Sequence, residues 1–217
     1  MRPFIAVALL VLSPALPEPA AELPLRRVMV DGAITSQSDP AATLEFERRF
    51  KYVGGQRFIL YDVADAEQHF FVDADSDGRI RRLYWVQFEG YLPSNTQSYN
   101  YRSARRADIG GLEFIVDTWY RKTSGPSRPG SDGARARELL EAKGYRFPDE
   151  VASVRLVHLT DASKRSELMI IYTEDLAPSG LTVDALQAGG AAENRAEELG
   201  DQVLSRATSG IQIKGSK

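Results

Sequence analysis

Cysteine is absent from the 217 residues, and its absence removes whole chemistries. There can be no disulfide, no thiolate nucleophile, no cysteine-ligated zinc and no lipid-modified cysteine anchor. Histidine is scarce: His69 and His158 are the two present. Both fall in strand-like stretches, and a metal site would have to recruit carboxylates around them. His69 lies four residues from Asp73, about 13 Å along a strand, so the spacing selects no metal. A hydrogen-bonded sheet histidine is the expectation at both positions. Positive charge is not in excess either. The net charge of −3 and the acidic pI argue against nucleic acid as the main partner, since backbone binding needs a basic face. Sequence signatures of catalysis are missing: no Gly-x-Ser-x-Gly, no His-Glu-x-x-His and no phosphate-binding glycine loop. The uninterrupted apolar run at 4–12 has nine residues, far below the ~20 a membrane span requires, and no other segment is longer.

That same run, preceded by Arg2 and followed by Ser13-Pro14-Ala15, has the three parts of an export signal. Residues 1–21 are expected to be signal peptide and leader, with cleavage near 15 or 21. The mature chain is then expected in the periplasm or outside the cell, where a cysteine-free domain folds without oxidative help. Residues 27–213 read as a single domain.

Within that domain, β-branched and aromatic runs alternate with short turn signals. Thr43–Tyr52 alternates strictly, Gly54-Gly55 reads as a hairpin turn into Gln56–Val63, and Leu112–Lys122 is a bounded strand. Tyr99 and Tyr101 start a possible further strand that Arg102–Arg106 interrupts. Residues 123–131 are linker by composition, with Ser131 or Asp132 capping a helix over about 132–143. Strands over Ser153–Leu159 and Glu167–Glu174 follow, then a short helical turn near Val183–Leu186. A helix over about 191–207 and a terminal strand at Ile211 and Ile213 complete the order. The expected fold is α+β: a large antiparallel sheet of about 7–8 strands built from hairpins, with the two helices covering one face.

The stretch Glu67–Tyr91 reads as one long β-hairpin around Asp77-Gly78. Two registers are open. A two-residue turn sets Asp73 opposite Arg82, and a three-residue Ser76–Gly78 loop sets Asp73 opposite Arg81. Beyond the turn, Ile80, Arg82, Tyr84, Val86 and Phe88 share one face, and Arg81, Leu83, Trp85 and Gln87 the other. Asp73, Asp75, Asp77 and Gly78 match half of a calcium-binding loop, but position 12 is Tyr84 where a bidentate glutamate belongs. Arg79, Arg81 and Arg82 can supply the counter-charge as well as calcium can.

Aromatic residues are the other signal, concentrated on successive strands. Tyr84, Trp85, Phe88, Trp119 and Tyr120 are the candidate ligand-contacting set, lining a cavity under a helix, against the plainer expectation of core packing. The function these features imply is a non-enzymatic exported domain that binds a small apolar molecule or a protein partner. One alternative is a calcium-stabilised module built on Asp73, Asp75 and Asp77. Another is an enzyme with a dispersed acid–base site using Asp117 and His69. The Arg102–Arg106 run is either a solvated loop or an anion-binding patch.

Overall fold

A computed structural model of the chain describes residues 23–215, so the export signal expected at 1–21 lies outside the described residues. The chain begins with three short strands, β1 (Val28–Val30), β2 (Ala33–Ser36) and β3 (Ala42–Phe46). A three-strand meander follows: β4 (Lys51–Leu60), β5 (Ala64–Ala74) and β6 (Ile80–Tyr91). The next strands are β7 (Arg106–Ile109), β8 (Leu112–Lys122), β9 (Glu150–Leu159) and β10 (Ser166–Asp175), with helix α1 (Asp132–Ala142) between β8 and β9. The chain closes with α2 (Val183–Leu186), α3 (Ala196–Ser209) and β11 (Ile211–Gly215).

The large sheet has seven antiparallel strands in the order β4-β5-β6-β10-β9-β8-β7. It is two meanders joined at a seam, because β10 returns to pair with β6. A four-stranded sheet, β1-β2-β3-β11, packs against one face of it. The α+β class and the antiparallel sheet expected from the hairpin signals are therefore present. The helices divide between the faces. Leu199, Val203 and Ala207 of α3 join the core that holds Tyr84, Val86 and Phe88. Ala136 and Leu140 of α1 join a smaller cluster on the opposite face, with Phe70, Leu83 and Trp85. β6 is thus covered on both sides, as the two-sided apolar pattern of its sequence requires.

Three local readings change. Gly54-Gly55 is not a turn: β4 runs straight through it, with a bulge between Tyr52 and Gly54. A Cβ on Gly55 would stand 2.7 Å from the carbonyl oxygen of Gln68, so the pair marks close backbone approach. The turn instead falls at 61–63, where Tyr61 and Asp62 adopt positive φ. The alternating run at 43–52 is accordingly two strands, β3 and β4, broken at 47–50.

The central hairpin combines both registers. Asp75 and Arg79 close a three-residue Ser76–Gly78 loop, with Gly78 at φ +82°. A bulge between Asp73 and Ala74 on the ladder then restores the pairing of Asp73 with Arg82. The bulge also moves Ile80 to the face of Leu83 and Trp85, not that of Tyr84.

Ser131 is the N-cap of α1, its hydroxyl accepting from the Ala134 amide at 3.1 Å. Among the described residues no helix is long and apolar enough to cross a membrane.

Candidate functional site

The two long connections of the sheet both run over the face opposite α3. One is the irregular segment 92–105, which carries the chain from β6 to β7. It must pass three strands, about 19 Å at ordinary strand spacing, and that span explains its length. The other is the excursion between β8 and β9 that contains α1. The first covers one end of the face and the second covers the other. Between the α1 excursion and the sheet lies a cleft of about 250 Å³, whose Arg155 reaches the Tyr101 ring of the first segment.

The floor of the cleft is set by register. Asp117, Arg155, Ile171, Trp85 and Phe70 lie side by side across five strands. One step along, Trp119 stands opposite Ser153, which stands opposite Thr173. Both of the chain's tryptophans line the cleft. Trp85 is nearly buried and Trp119 is half-buried. The walls carry three guanidiniums, Arg121, Arg137 and Arg155. Arg155 donates to Asp117 at 2.6 Å, while its Nε is buried without a hydrogen-bond partner. Arg137 donates to the Thr123 carbonyl at 2.9 Å and lies 5.0 Å from the Phe147 ring. Arg121 has no acidic partner among the described residues. Partial desolvation and the nearby Arg137 both pull its pKa down.

A polar relay runs from the cleft floor towards the segment at 92–105. Gln56 donates to Gln68 at 2.8 Å, Gln68 to Gln87 at 2.8 Å, and Gln87 in turn to Glu89. The Trp85 indole N–H also donates to Gln87, at 3.1 Å. Amide dipoles aligned in one direction and ending on a carboxylate reinforce one another. Across the seam, Glu89 is the direct cross-strand partner of Glu167. Like charges set opposite each other repel. Two tyrosines of the 92–105 segment cap the pair: Tyr99 donates to Glu89 at 2.7 Å and Tyr101 to Glu167 at 2.6 Å. Burial pushes Glu167 up to about 7, Tyr101 draws it back, and Glu89 adds to the rise. Burial raises Glu89 as well, against the hydrogen bonds from Tyr99 and Gln87. Arg155, 5.0 Å from the Tyr101 ring, stands at the boundary between the capped pair and the cleft.

Of the five aromatic candidates, Trp85 and Trp119 meet in the cleft. Tyr84, Phe88 and Tyr120 lie on the other face. Tyr84 is fully buried with its hydroxyl on the Ala207 carbonyl, and Tyr120 donates to the Ala196 carbonyl. Both tie α3 to the sheet. Phe88 is buried beneath the Arg27 guanidinium. The parity of the alternation already separated Trp85 from Tyr84 and Phe88.

The aspartates disperse around the hairpin tip. Asp73 pairs with Arg81 at 2.7 Å, Asp75 with Arg81 at 3.2 Å, and Asp77 with Arg146 and the Arg79 amide. Among the described residues no group of three His, Asp or Glu side chains is placed to hold a metal ion.

Asp117 and His69 are not brought together. They sit on opposite faces and four strands apart, about 19 Å at ordinary spacing. His69 is instead fully buried, donating to Glu67 at 2.9 Å and facing the Tyr52 hydroxyl at 3.2 Å. His158 lies against the Glu113 carbonyl at 2.9 Å. The Arg102–Arg106 run is engaged: Arg105 pairs with Asp201 at 2.6 Å, and Arg106 begins β7.

A larger opening, about 630 Å³, lies beside the hairpin and α3. Its charged side chains are each in an ion pair, Arg206 with Glu174, Arg81 and Arg82 with Asp73, and Asp175 and Arg49 with Arg79 and Glu47 outside the lining. The cleft is smaller, but it joins both tryptophans to a guanidinium, Arg121, that has no acidic partner among the described residues.

Comparison with protein-family models, with curated proteins and with solved structures finds no match to this chain.

Proposed function

We propose that the chain is an exported binding domain that takes a small ligand in the cleft floored by Trp85 and Trp119. The observation that carries this reading is the meeting of both tryptophans in one opening that two long connections leave uncovered. The cleft sets two indole rings, Met169 and Ile171 beside convergent polar groups, the kinds of contact a small-molecule site combines. Export is proposed on the N-terminal pattern of Arg2, the apolar run and Ser13-Pro14-Ala15.

Native mass spectrometry of protein recovered from its own compartment tests both parts. The denatured mass gives the processing site: a mass short of the first 15 or 21 residues supports export, and the full-length mass counts against it. A retained molecule that is absent from Trp119→Ala supports the cleft. Retention undiminished in Trp119→Ala would move the ligand elsewhere.

One observation favours a protein partner as a second reading. Ile59, Tyr61 and Val63 stand exposed together at the β4–β5 turn. A photo-crosslinker placed at Ile59 in the exporting cell captures the partner if this reading holds, and gives only uncrosslinked chain if it does not.

A further inference from the structure

Three guanidiniums line the cleft, and two of them are paired with carboxylates. Asp117 takes one arm of Arg155. Asp132 is spent on the start of α1, where its Oδ1 accepts from the Gly133 amide at 2.7 Å. Arg137 has a long contact with Glu141 at 3.4 Å, on the outer side of the helix. Arg121 has no acid. Arg121 is therefore the one guanidinium of the lining that has no ion pair among the described residues.

The second observation is independent of that count. The Nε of Arg155 is a buried donor with no partner. A donor left unsatisfied is destabilising, and an incoming acceptor relieves it. Arg155 and Arg121 stand on neighbouring strands, on the same face as Trp119. An acceptor placed between them would have an indole ring beside it and the side chains of Met169 and Ile171 beyond.

From this placement we infer that the ligand is a small monocarboxylate with a flat apolar body, its carboxylate held by Arg121 and Arg155 and its body laid on Trp119 and Trp85. This rests on the cleft being the binding site and goes further by naming the ligand class. A planar carboxylate suits the planar guanidinium, and a single negative charge suits the one guanidinium left without an ion pair. The volume suits a one- or two-ring body.

The chain offers its own reporter, because both of its indole side chains line the cleft. The folded protein, labelled with nitrogen-15, is titrated with 2-naphthoate and separately with 2-naphthalenemethanol, and the two indole signals are followed by NMR. The probes share a ring system and differ in charge. The expected result is saturable movement of both signals, with naphthoate bound at least about tenfold more tightly. Arg121→Gln, an exposed position with no structural pairing, is expected to bring the two probes to within about threefold. Arg155→Lys, which keeps the charge and the partner for Asp117 but removes the Nε donor, is expected to reduce the preference in part.

Equal or tighter binding of the alcohol would overturn the carboxylate assignment and leave the cleft standing. A naphthoate preference unchanged in both variants would overturn the roles of these two arginines. Neither probe moving either indole signal would overturn the binding cleft itself and the inference with it.

Discussion

Two buried glutamates, one on β5 and one on β10, show how differently the two faces of the large sheet are built. Glu67, on the face packed by α3 and the small sheet, is 1% exposed, and Glu167, on the cleft face, is 2% exposed. Burial pushes both pKa values up. For Glu67 the push is outweighed: His69 and the Arg26 and Arg27 amides all donate to it, at 2.8–2.9 Å, and its pKa lies below the ordinary value. Glu167 has one donor, Tyr101, and a second carboxylate opposite, so its pKa stays high. The same residue at the same depth has its pKa lowered on one face and raised on the other. The core face answers each polar group completely. The cleft face leaves charges and donors partly unanswered, and that is what a binding surface requires.

The largest effect that would test this contrast is steric. Phe88 is 1% exposed in the main core, and Phe88→Ala is expected to cost about 3–5 kcal/mol in urea unfolding. Trp119→Ala, on the half-buried cleft floor, is expected to cost about 1 kcal/mol or less while removing the cleft's ring. The reverse order would mean that the faces have been exchanged.

The next effect is in pH. The folded pKa of Glu167, about 7, exceeds its ordinary value of 4.5, so the folded state holds this proton more tightly than the unfolded state. Its contribution is fully present below about 4.5 and is lost as pH rises through about 7, a difference of roughly 3 kcal/mol. Glu89, Asp132, Arg155, Tyr99 and Tyr101 are the titratable groups around it. Glu67 has the opposite sign: its contribution is present above the ordinary carboxylate pKa and is lost as pH falls through the lowered folded value. Glu167→Gln is expected to flatten stability between pH 5 and 8, because the amide oxygen still accepts from Tyr101. Urea midpoints across that range measure it, and an unchanged slope would place the neutral-range titration on another group.

The smallest expected effect is that of calcium. Arg81, Arg82 and Arg146 already answer the hairpin aspartates, so the melting temperature is expected to be the same in millimolar calcium as in chelator. A rise in calcium would return Asp73, Asp75 and Asp77 to the role of ligands.

Where structure follows from local pattern, the chain was legible. Leu112–Lys122 is bounded by Gly110-Gly111 and by 123–130, and it is β8 residue for residue. The Ser131 cap, the turn at Val183–Leu186 and the terminal strand likewise follow from near neighbours. Gly54-Gly55 was misleading because a glycine pair serves a bulge and a close approach as well as it serves a turn. Ile80 changed face because a bulge adds one residue that alternation cannot anticipate. The site was half legible. Parity set Trp85 and Gln87 apart from Tyr84, and continuing it would have added Glu89. Glu167 and Arg155 were hidden for a different reason. Their neighbours depend on β10 returning to β6 past four intervening elements, and nothing in sequence order announces that pairing.

The small sheet carries a consequence for how the chain comes together in time. β3 pairs with β11 from Ala42↔Gly215 to Phe46↔Ile211, and Lys214 reaches Glu45 across 169 residues. A chain emerging from its amino end must therefore hold one edge of β3 open until almost every other described residue has appeared. The two meanders can zip early, from neighbouring hairpins. The four-stranded sheet cannot be completed until β11 arrives, and with it the burial of Ile213 against Leu44. Contacts of such long range are slow to form. Until they do, the molecule presents an unpaired strand edge above its own core, a template for another copy as much as for its own last five described residues.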